Sequence, residues 1–381
     1  MGDFMGENKM KLIVGLIAFV LIFSIGAIAY QNTALFAQVT SDETISIGWI
    51  GPLTGPSAVL GMDSITAAEI AVKEINSGGG INGKKLKLIT EDDQYVSTKT
   101  ISAYQKITQI DGAKIVLVNT YSGIFALAKQ AQKDGVILID PLDCSSLISA
   151  LNENVFCLAT DSESIANVLS SEAKKQGNSA GIIYFIGDQF MPQIKEWVSQ
   201  KFSGKIVSES YSPGVLDFKT IIEKMKFEKV DSLILLGYDE TGVAMRQARE
   251  LGFSGQFITT ATITSPSLVE ASKGAANGTI FAFWSADANR AETKEFNKSF
   301  LEEKQRLPIL DLATYPTYDT VKAIAKALGV VKNKNVLEIR TALLGVNFWG
   351  TTGEVNFNQT RASKIPEQAY RLENGKVVAK N

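Results

Sequence analysis

Histidine is absent from all 381 residues. That excludes a Ser-His-Asp or Cys-His nucleophile system and any metal site built on imidazole. Carboxylate or lysine chemistry stays open in principle. Still, a chain this long without the commonest catalytic base reads as a binder, with no cofactor and no metal, rather than as an enzyme. Cysteine is scarce: Cys144 and Cys157 are the whole supply. In an exported domain they either pair or remain two buried thiols. An excess of basic charge is missing too. The 38 Lys and Arg residues stand against 40 Asp and Glu, a formal net charge of −2, which offers no field to a nucleic-acid backbone.

What is present is globular. Apolar residues make up 45% and charged residues 20%, far from a disordered composition. The length allows two domains, each with its own core. Lys9 and Lys11 flank an uncharged apolar run from Leu12 to Ala29, near the ~20 residues that cross a bilayer as a helix. The run reads as a signal peptide cut at Ala27-Ile-Ala29, or as an uncleaved membrane anchor. Either way residues 1–43 are leader plus linker, and the remainder is exported, facing the periplasm or the cell exterior. Asn277, Asn297 and Asn358 begin Asn-x-Ser/Thr sites, expected on surface loops.

From Ile45 the pattern is strand, helix, strand. Ile65, Ala68, Val72 and Ile75 recur at spacings of three and four, giving the helix one apolar face. Gly78, Gly80 and Gly83 match a dinucleotide-binding pattern, but they follow a helix and precede a strand. That fingerprint works only where a strand opens into a helix whose amides meet a pyrophosphate, so these glycines read as a helix cap and turn. Alternation continues through helices at 98–110 and 123–133 and strands at 113–118, 136–139 and 155–158. A second series starts at Asp161, with strands at 180–186, 205–210, 232–236 and 256–259 between helices, again doubly wound. From Ala286 helices dominate and, with no strands of their own to cover, return to the first sheet. The segment 353–376 reads as short strands with turns at Asn358 and Asn374-Gly375.

Several short motifs follow one another in a telling order: Gly51-Pro-Leu-Thr-Gly-Pro56, Gly79-Gly-Ile-Asn-Gly83, Glu91-Asp-Asp93, Gly135-Val-Ile-Leu-Ile-Asp-Pro141, Met245-Arg-Gln-Ala-Arg249, then Tyr315 and Tyr318-Asp319. In these the chain resembles the ABC-transporter substrate-binding proteins for branched-chain amino acids, the leucine/isoleucine/valine-binding family of type I periplasmic binding proteins, over residues 45–373. The resemblance implies an α/β fold of two doubly wound parallel-sheet lobes joined by a three-crossover hinge. Residues 44–160 and 286–346 would form the first lobe, 161–285 and 347–381 the second. It implies capture of a small polar solute, an amino acid first, by cleft closure, and delivery to the permease subunits of an ABC transporter. The alternatives are a membrane-tethered receptor that reports occupancy, or a binder of amides, urea-like solutes or carboxylic acids.

Ligands collect at the carboxyl ends of parallel strands, which selects the loops after Ile50, Val118, Ile139, Phe185, Leu236 and Thr259. The second of these opens onto a helix N-terminus, a place for a carboxylate. A family serine holds the ligand's carboxylate there, which implies Ser122 with Tyr121 adjoining, although a plain N-cap also explains a serine. After Ile139 the family has a small residue whose carbonyl accepts the ligand's ammonium, then a threonine. Leu142 and Cys144 stand in those places, with Ser145 next door. Phe190 and Tyr238 fall where the family sets aromatic walls. One departure is large. Amino-acid binders carry a glutamate after the strand containing Phe257 that pairs with the α-ammonium, and this chain has Ala261 there. A buried charge left unpaired costs several kcal/mol. Either Asp161, Asp143 or Asp239 takes over, or the ligand carries no such cation and Thr260 with its neighbours meets a neutral polar group. Asp161 is the first choice, with capping of the following helix as its structural alternative.

Overall fold

The computed structural model describes residues 44–55, 57–332 and 335–380. The apolar run and its candidate cleavage site lie outside the described residues. Among the described residues no helix is long and apolar enough to cross a membrane.

Strand β1 (Ile45–Gly51) leads through helix α1 (Val59–Ser77) to β2 (Leu86–Asp92), which pairs with β1 in parallel, Ile45 beside Leu86. The apolar face of α1 buries Ala67, Ala68, Ile70 and Ala71. Gly61 is required where α1 meets the preceding loop, since a Cβ there would lie 1.8 Å from the Pro52 carbonyl oxygen. The glycines that mimic a phosphate loop form the turn after α1. Gly80, at φ 76°, has no room for a Cβ, which would sit 2.2 Å from the Lys84 carbonyl oxygen.

Helix α2 (Ser97–Gln105), with a further π turn to Ile110, precedes β3 (Ile115–Val118). Helix α3 (Tyr121–Asp134) precedes β4 (Ile137–Asp140), and the short α4 (Ser146–Ser149) precedes β5 (Val155–Thr160). The second series runs α5 (Ser162–Gln176), β6 (Ser179–Phe185), α6 (Phe190–Lys201), β7 (Lys205–Tyr211), α7 (Lys219–Phe227) and β8 (Ser232–Leu236). It continues with α8 (Glu240–Glu250), β9 (Gln256–Thr259), α9 (Pro266–Ala271) and β10 (Ile280–Phe283). Strand β10, four buried residues, is one more than the strands read from the sequence, although its apolar run Ile280–Phe283 resembles those of β3 and β8.

Helices α10 (Ala291–Lys304), α11 (Asp311–Val330) and α12 (Val336–Leu344) return to the first sheet. There Phe296, Phe300, Val321 and Ile324 share a core with Ile47, Trp49 and Leu117. The hairpin β11 (Asn347–Gly350) and β12 (Gly353–Asn356) is pinned to α11 by buried Asp319, which accepts from the Thr351 and Thr352 backbone N–H groups at 3.0 and 2.8 Å. Tyr318 donates to Glu74 at 2.6 Å. The Tyr318-Asp319 motif is therefore structural.

Strands β13 (Ala362–Ile365), β14 (Gln368–Glu373) and β15 (Lys376–Ala379) complete the chain. The first sheet has the order β13-β5-β4-β3-β1-β2, parallel throughout. The second runs β15-β14-β10-β9-β8-β6-β7, parallel except that β14 runs opposite to both its neighbours. The fold is the expected pair of doubly wound α/β lobes, and the chain passes between them three times: after β5, after β10 and between β13 and β14. The sequence boundary at 347 needs correction. Residues 347–365 belong with the first lobe, because β13 completes the open edge of β5 and Phe357 packs edge-on against Phe156, ring centroids 5.4 Å apart. Only β14 and β15 return to the second lobe. Asn277 and Asn358 are exposed turn residues as expected, whereas Asn297 is half-buried within α10 and accepts from the Tyr315 hydroxyl at 2.8 Å.

Cys144 and Cys157 form a disulfide, Cα atoms 5.1 Å apart, tying the loop after β4 to the middle of β5. Replacing both by alanine should lower the unfolding free energy by about 3 kcal/mol, the loop-closure entropy of a tie this short. A urea titration with an unchanged midpoint would show that the tie stabilises nothing.

Candidate functional site

Both lobes share one strand order, 2-1-3-4-5 in the first and 7-6-8-9-10 in the second, so both have a switch point at the carboxyl ends of their strands. The loops from those ends meet around a cavity between the lobes. Five of the six loops selected from the sequence supply a residue, Tyr121, Leu142, Phe190, Tyr238 and Thr260, and after β1 the wall is reached by Leu60 inside α1. The cavity is small. The centre of a water-sized sphere can occupy about 50 Å³ of it, space for several waters or part of one small solute.

Aromatic side chains close it from both sides. Tyr121 of the first lobe meets Phe190 of the second edge-on, ring centroids 5.2 Å apart. The Tyr238 hydroxyl donates to Asp188 Oδ2 at 2.7 Å, and the Tyr95 hydroxyl of the opposite lobe lies beside that of Tyr238. Tyr95 reaches this place from a strained turn in which Gln94 and Tyr95 have φ of 53° and 61°, uncommon for side chains of this size. Two aspartates hold the turn. Asp92 Oδ1 accepts from the Gln94 N–H at 3.0 Å, and Asp93 accepts from the Tyr95 N–H at 2.9 Å, the Thr100 hydroxyl at 2.7 Å and the Thr120 hydroxyl at 2.6 Å.

The polar end of the cavity is acidic. Asp140 Oδ1 accepts from the Leu142 and Asp143 N–H groups at 2.8 and 2.9 Å, a tight turn at the end of β4 that sets Asp143 in the cavity wall. Glu367 enters from the connection between β13 and β14, its own N–H donating to Ser164 Oγ at 2.8 Å. Asp143 is 2% exposed and Glu367 5%. Asp143 Oδ2, Asp140 Oδ2 and both oxygens of Glu367 have no hydrogen-bond partner. Burial pushes the Glu367 carboxyl up to about 8; nearby Thr160 lowers it in part without being aligned as a donor, and Asp161 raises it. Burial raises Asp140 and Asp143 as well, and repulsion from Asp140 adds to the rise at Asp143. Among the described residues the wall holds no lysine or arginine. Lys364, the cation that acts on Asp143, is paired with Asp161 at 3.3 Å and Glu163 at 3.8 Å.

The cavity thus brings together Tyr121, Leu142, Phe190, Tyr238 and Thr260 from the sequence-based set, and leaves three out. Cys144 is fully buried in its disulfide and has no thiol to offer. Asp161 caps α5, accepting from the Glu163 N–H at 3.2 Å, and pairs with Lys364, so its structural alternative prevails. Ser122 lies one position inside α3, which starts at Tyr121 rather than Gly123, and is outside the wall. Asp239 binds Ser265 at 2.6 Å and also Ser267, away from the cavity. Ala261 does line it, 3% exposed. Tyr95 and Glu367 were missed. The strand-end rule applied to β2 would have selected Tyr95; Glu367 sits in a two-residue connection between lobes that no sequence pattern marks.

Residues 44–374 match the family model of the periplasmic binding proteins. The chain belongs to that family. As a periplasmic binding protein it is a solute-binding protein, not an enzyme, and membership implies an exported location. It is similar to Leu/Ile/Val-binding protein homolog 1 of Brucella suis biovar 1, 26% identical over 357 residues, covering 88% of this chain and 91% of that protein. In fold it matches the branched-chain amino acid transporter substrate-binding protein LivJ of Streptococcus pneumoniae, solved with isoleucine: TM-score 0.78, 23% identity, 88% of this chain and 98% of that one. An ABC-transporter solute-binding protein of R. palustris, solved with benzoate, matches at TM-score 0.75 and 18% identity over 88% of this chain and 95% of that one.

The raised carboxyls set the pH response of the empty binding protein. A carboxyl whose folded value lies above its unfolded one contributes stability that is fully present below the unfolded value, ~4.3 for Glu, and lost as pH rises through the folded value. For Glu367 the loss is complete above about 8. Within that window the wild type should lose about 1.4 kcal/mol per pH unit relative to Glu367→Gln. Parallel stability curves for the two proteins would contradict the burial argument.

Proposed function

We propose that this binding protein captures a small solute carrying a positively charged amino group and an apolar body, closes its lobes around it, and hands it to the permease of an ABC transporter. The observation that carries this is the pair of buried carboxyl groups, Asp143 and Glu367, with three partnerless oxygens between them, in a mostly apolar and aromatic cavity between the lobes. A desolvated carboxylate needs a cation, and the protein supplies none in the wall. These acids take the part of the glutamate that Ala261 replaces. The names of the curated relatives support the amino group, since the Leu/Ile/Val-binding proteins are named for amino acids. A free carboxylic acid such as benzoate fits poorly, because two acids and no base face it.

A second reading rests on the same raised carboxyls. When neutral, each both donates and accepts a hydrogen bond, which suits an amide. The pH dependence separates the two: an ammonium binds more tightly as pH rises from 6 to 8, an amide more weakly.

Thermal melts of the purified protein against amino acids, amines, amides and acids test the reading. An amino-bearing solute at ~100 times its Kd should stabilise by about 2.7 kcal/mol. Asp143→Asn and Glu367→Gln should each weaken its binding about tenfold or more. Stabilisation by carboxylic acids alone would defeat the proposal.

A further inference from the structure

The same cavity says what the rest of the ligand lacks. Taking capture of an amino-bearing solute as given, we infer that the ligand is an aliphatic amine without a carboxylate, a small alkylammonium rather than an amino acid, because the wall holds partnerless carboxyl oxygens and no cation, and the loop donors nearest a carboxylate are engaged.

A zwitterionic amino acid needs two opposed receptors, acceptors for its ammonium and donors for its carboxylate. Of the donors, the neutral hydroxyls of Tyr121 and Thr160 remain in the wall, and the others are engaged. At the N-terminus of α3, the natural anion site, the Tyr121 N–H is faced by the Tyr95 hydroxyl, and the Thr120 hydroxyl is spent on Asp93 at 2.6 Å. Ser122 is not in the wall. In the loop after β4, the Leu142 and Asp143 N–H groups both go to Asp140 Oδ1, and the Cys144 N–H goes to the Thr160 carbonyl at 3.0 Å. In the second lobe Thr262 donates to the Gly237 carbonyl at 3.0 Å and its hydroxyl pairs with that of Thr260 at 3.0 Å. Lys364 is held by two acids.

The acceptors, by contrast, are in surplus. Asp143 and Glu367 keep three unpartnered carboxyl oxygens between them. Pro316, inside α11, has no N–H to give the Leu312 carbonyl, and Leu312 lines the same cavity. The rings of Tyr95, Tyr121, Phe190 and Tyr238 border the space, and aromatic faces attract an ammonium. A carboxylate placed here would face carboxyls and ring electrons, with neutral hydroxyls and no cation to answer its charge. An alkylammonium finds charge at one end and apolar wall at the other.

Calorimetry at pH 8 on the purified protein decides, using three probes of one shape: 3-methylbutylamine, leucine and 4-methylpentanoate. The amine should bind at least tenfold more tightly than leucine, 4-methylpentanoate should not bind, and Asp143→Asn and Glu367→Gln should each weaken the amine at least tenfold. Both variants keep the shape of the carboxyl they replace, and a circular-dichroism melt confirms their folding. If leucine binds more tightly than the amine, the inference falls and amino-solute capture stands. If 4-methylpentanoate alone binds, both fall. Absence of amine binding, or amine binding unchanged in both variants, overturns the inference.

Discussion

A carboxyl group shut away from water must be neutral, be paired, or force the structure open. Asp143 and Glu367 are under that constraint in the closed form, and the fold provides no partner. It follows that charge and conformation are one equilibrium here. Ionising the pair favours an open cleft in which water solvates the oxygens, and a bound cation favours the closed one. A ligand acts on such an equilibrium only through its different affinity for the two states, and the buried acids are where that difference is concentrated.

The rest of the site is arranged to keep this end dry and narrow. The aromatic contacts across the cleft, Tyr121 on Phe190 and Tyr95 beside Tyr238, form only when the lobes are together. Placing Tyr95 requires two successive side chains in the left-handed region, a strain of ~1–3 kcal/mol each. Asp92 and Asp93 offset it by gathering the amides of the turn, and Asp93 links the same turn to α2 and to the loop before α3. On the far wall the disulfide and the Asp140 turn fix the loop that bears Asp143.

Most of the fold was legible in the sequence because it depends on patterns that local chemistry writes plainly. Ile65, Ala68, Val72 and Ile75 mark α1, and uniform apolar runs mark parallel strands buried on both faces. The strand-end rule found five of the loops that form the cavity. What escaped it depends on pairing between distant segments. Nothing in Ala362–Ile365 announces that it joins the first sheet rather than the second, because both edges would accept a short parallel or antiparallel strand. Asp161 illustrates the opposite difficulty: an aspartate before a helix looks the same whether it caps that helix or faces a ligand, and only the partners of its oxygens distinguish the two. Glu367 acquires its character chiefly from burial, which no neighbour in sequence imposes.

Glu367 stands in the short connection between β13 and β14, one of the three strands of chain about which the lobes turn. Points near a pivot move least. Under the proposed function, a cation drawn to Glu367 would dock near that pivot, and would be held there before the lobes come together. Recognition then has an order in time: the charged end settles first at the axis, and the apolar walls sweep in afterwards to test the shape of what remains.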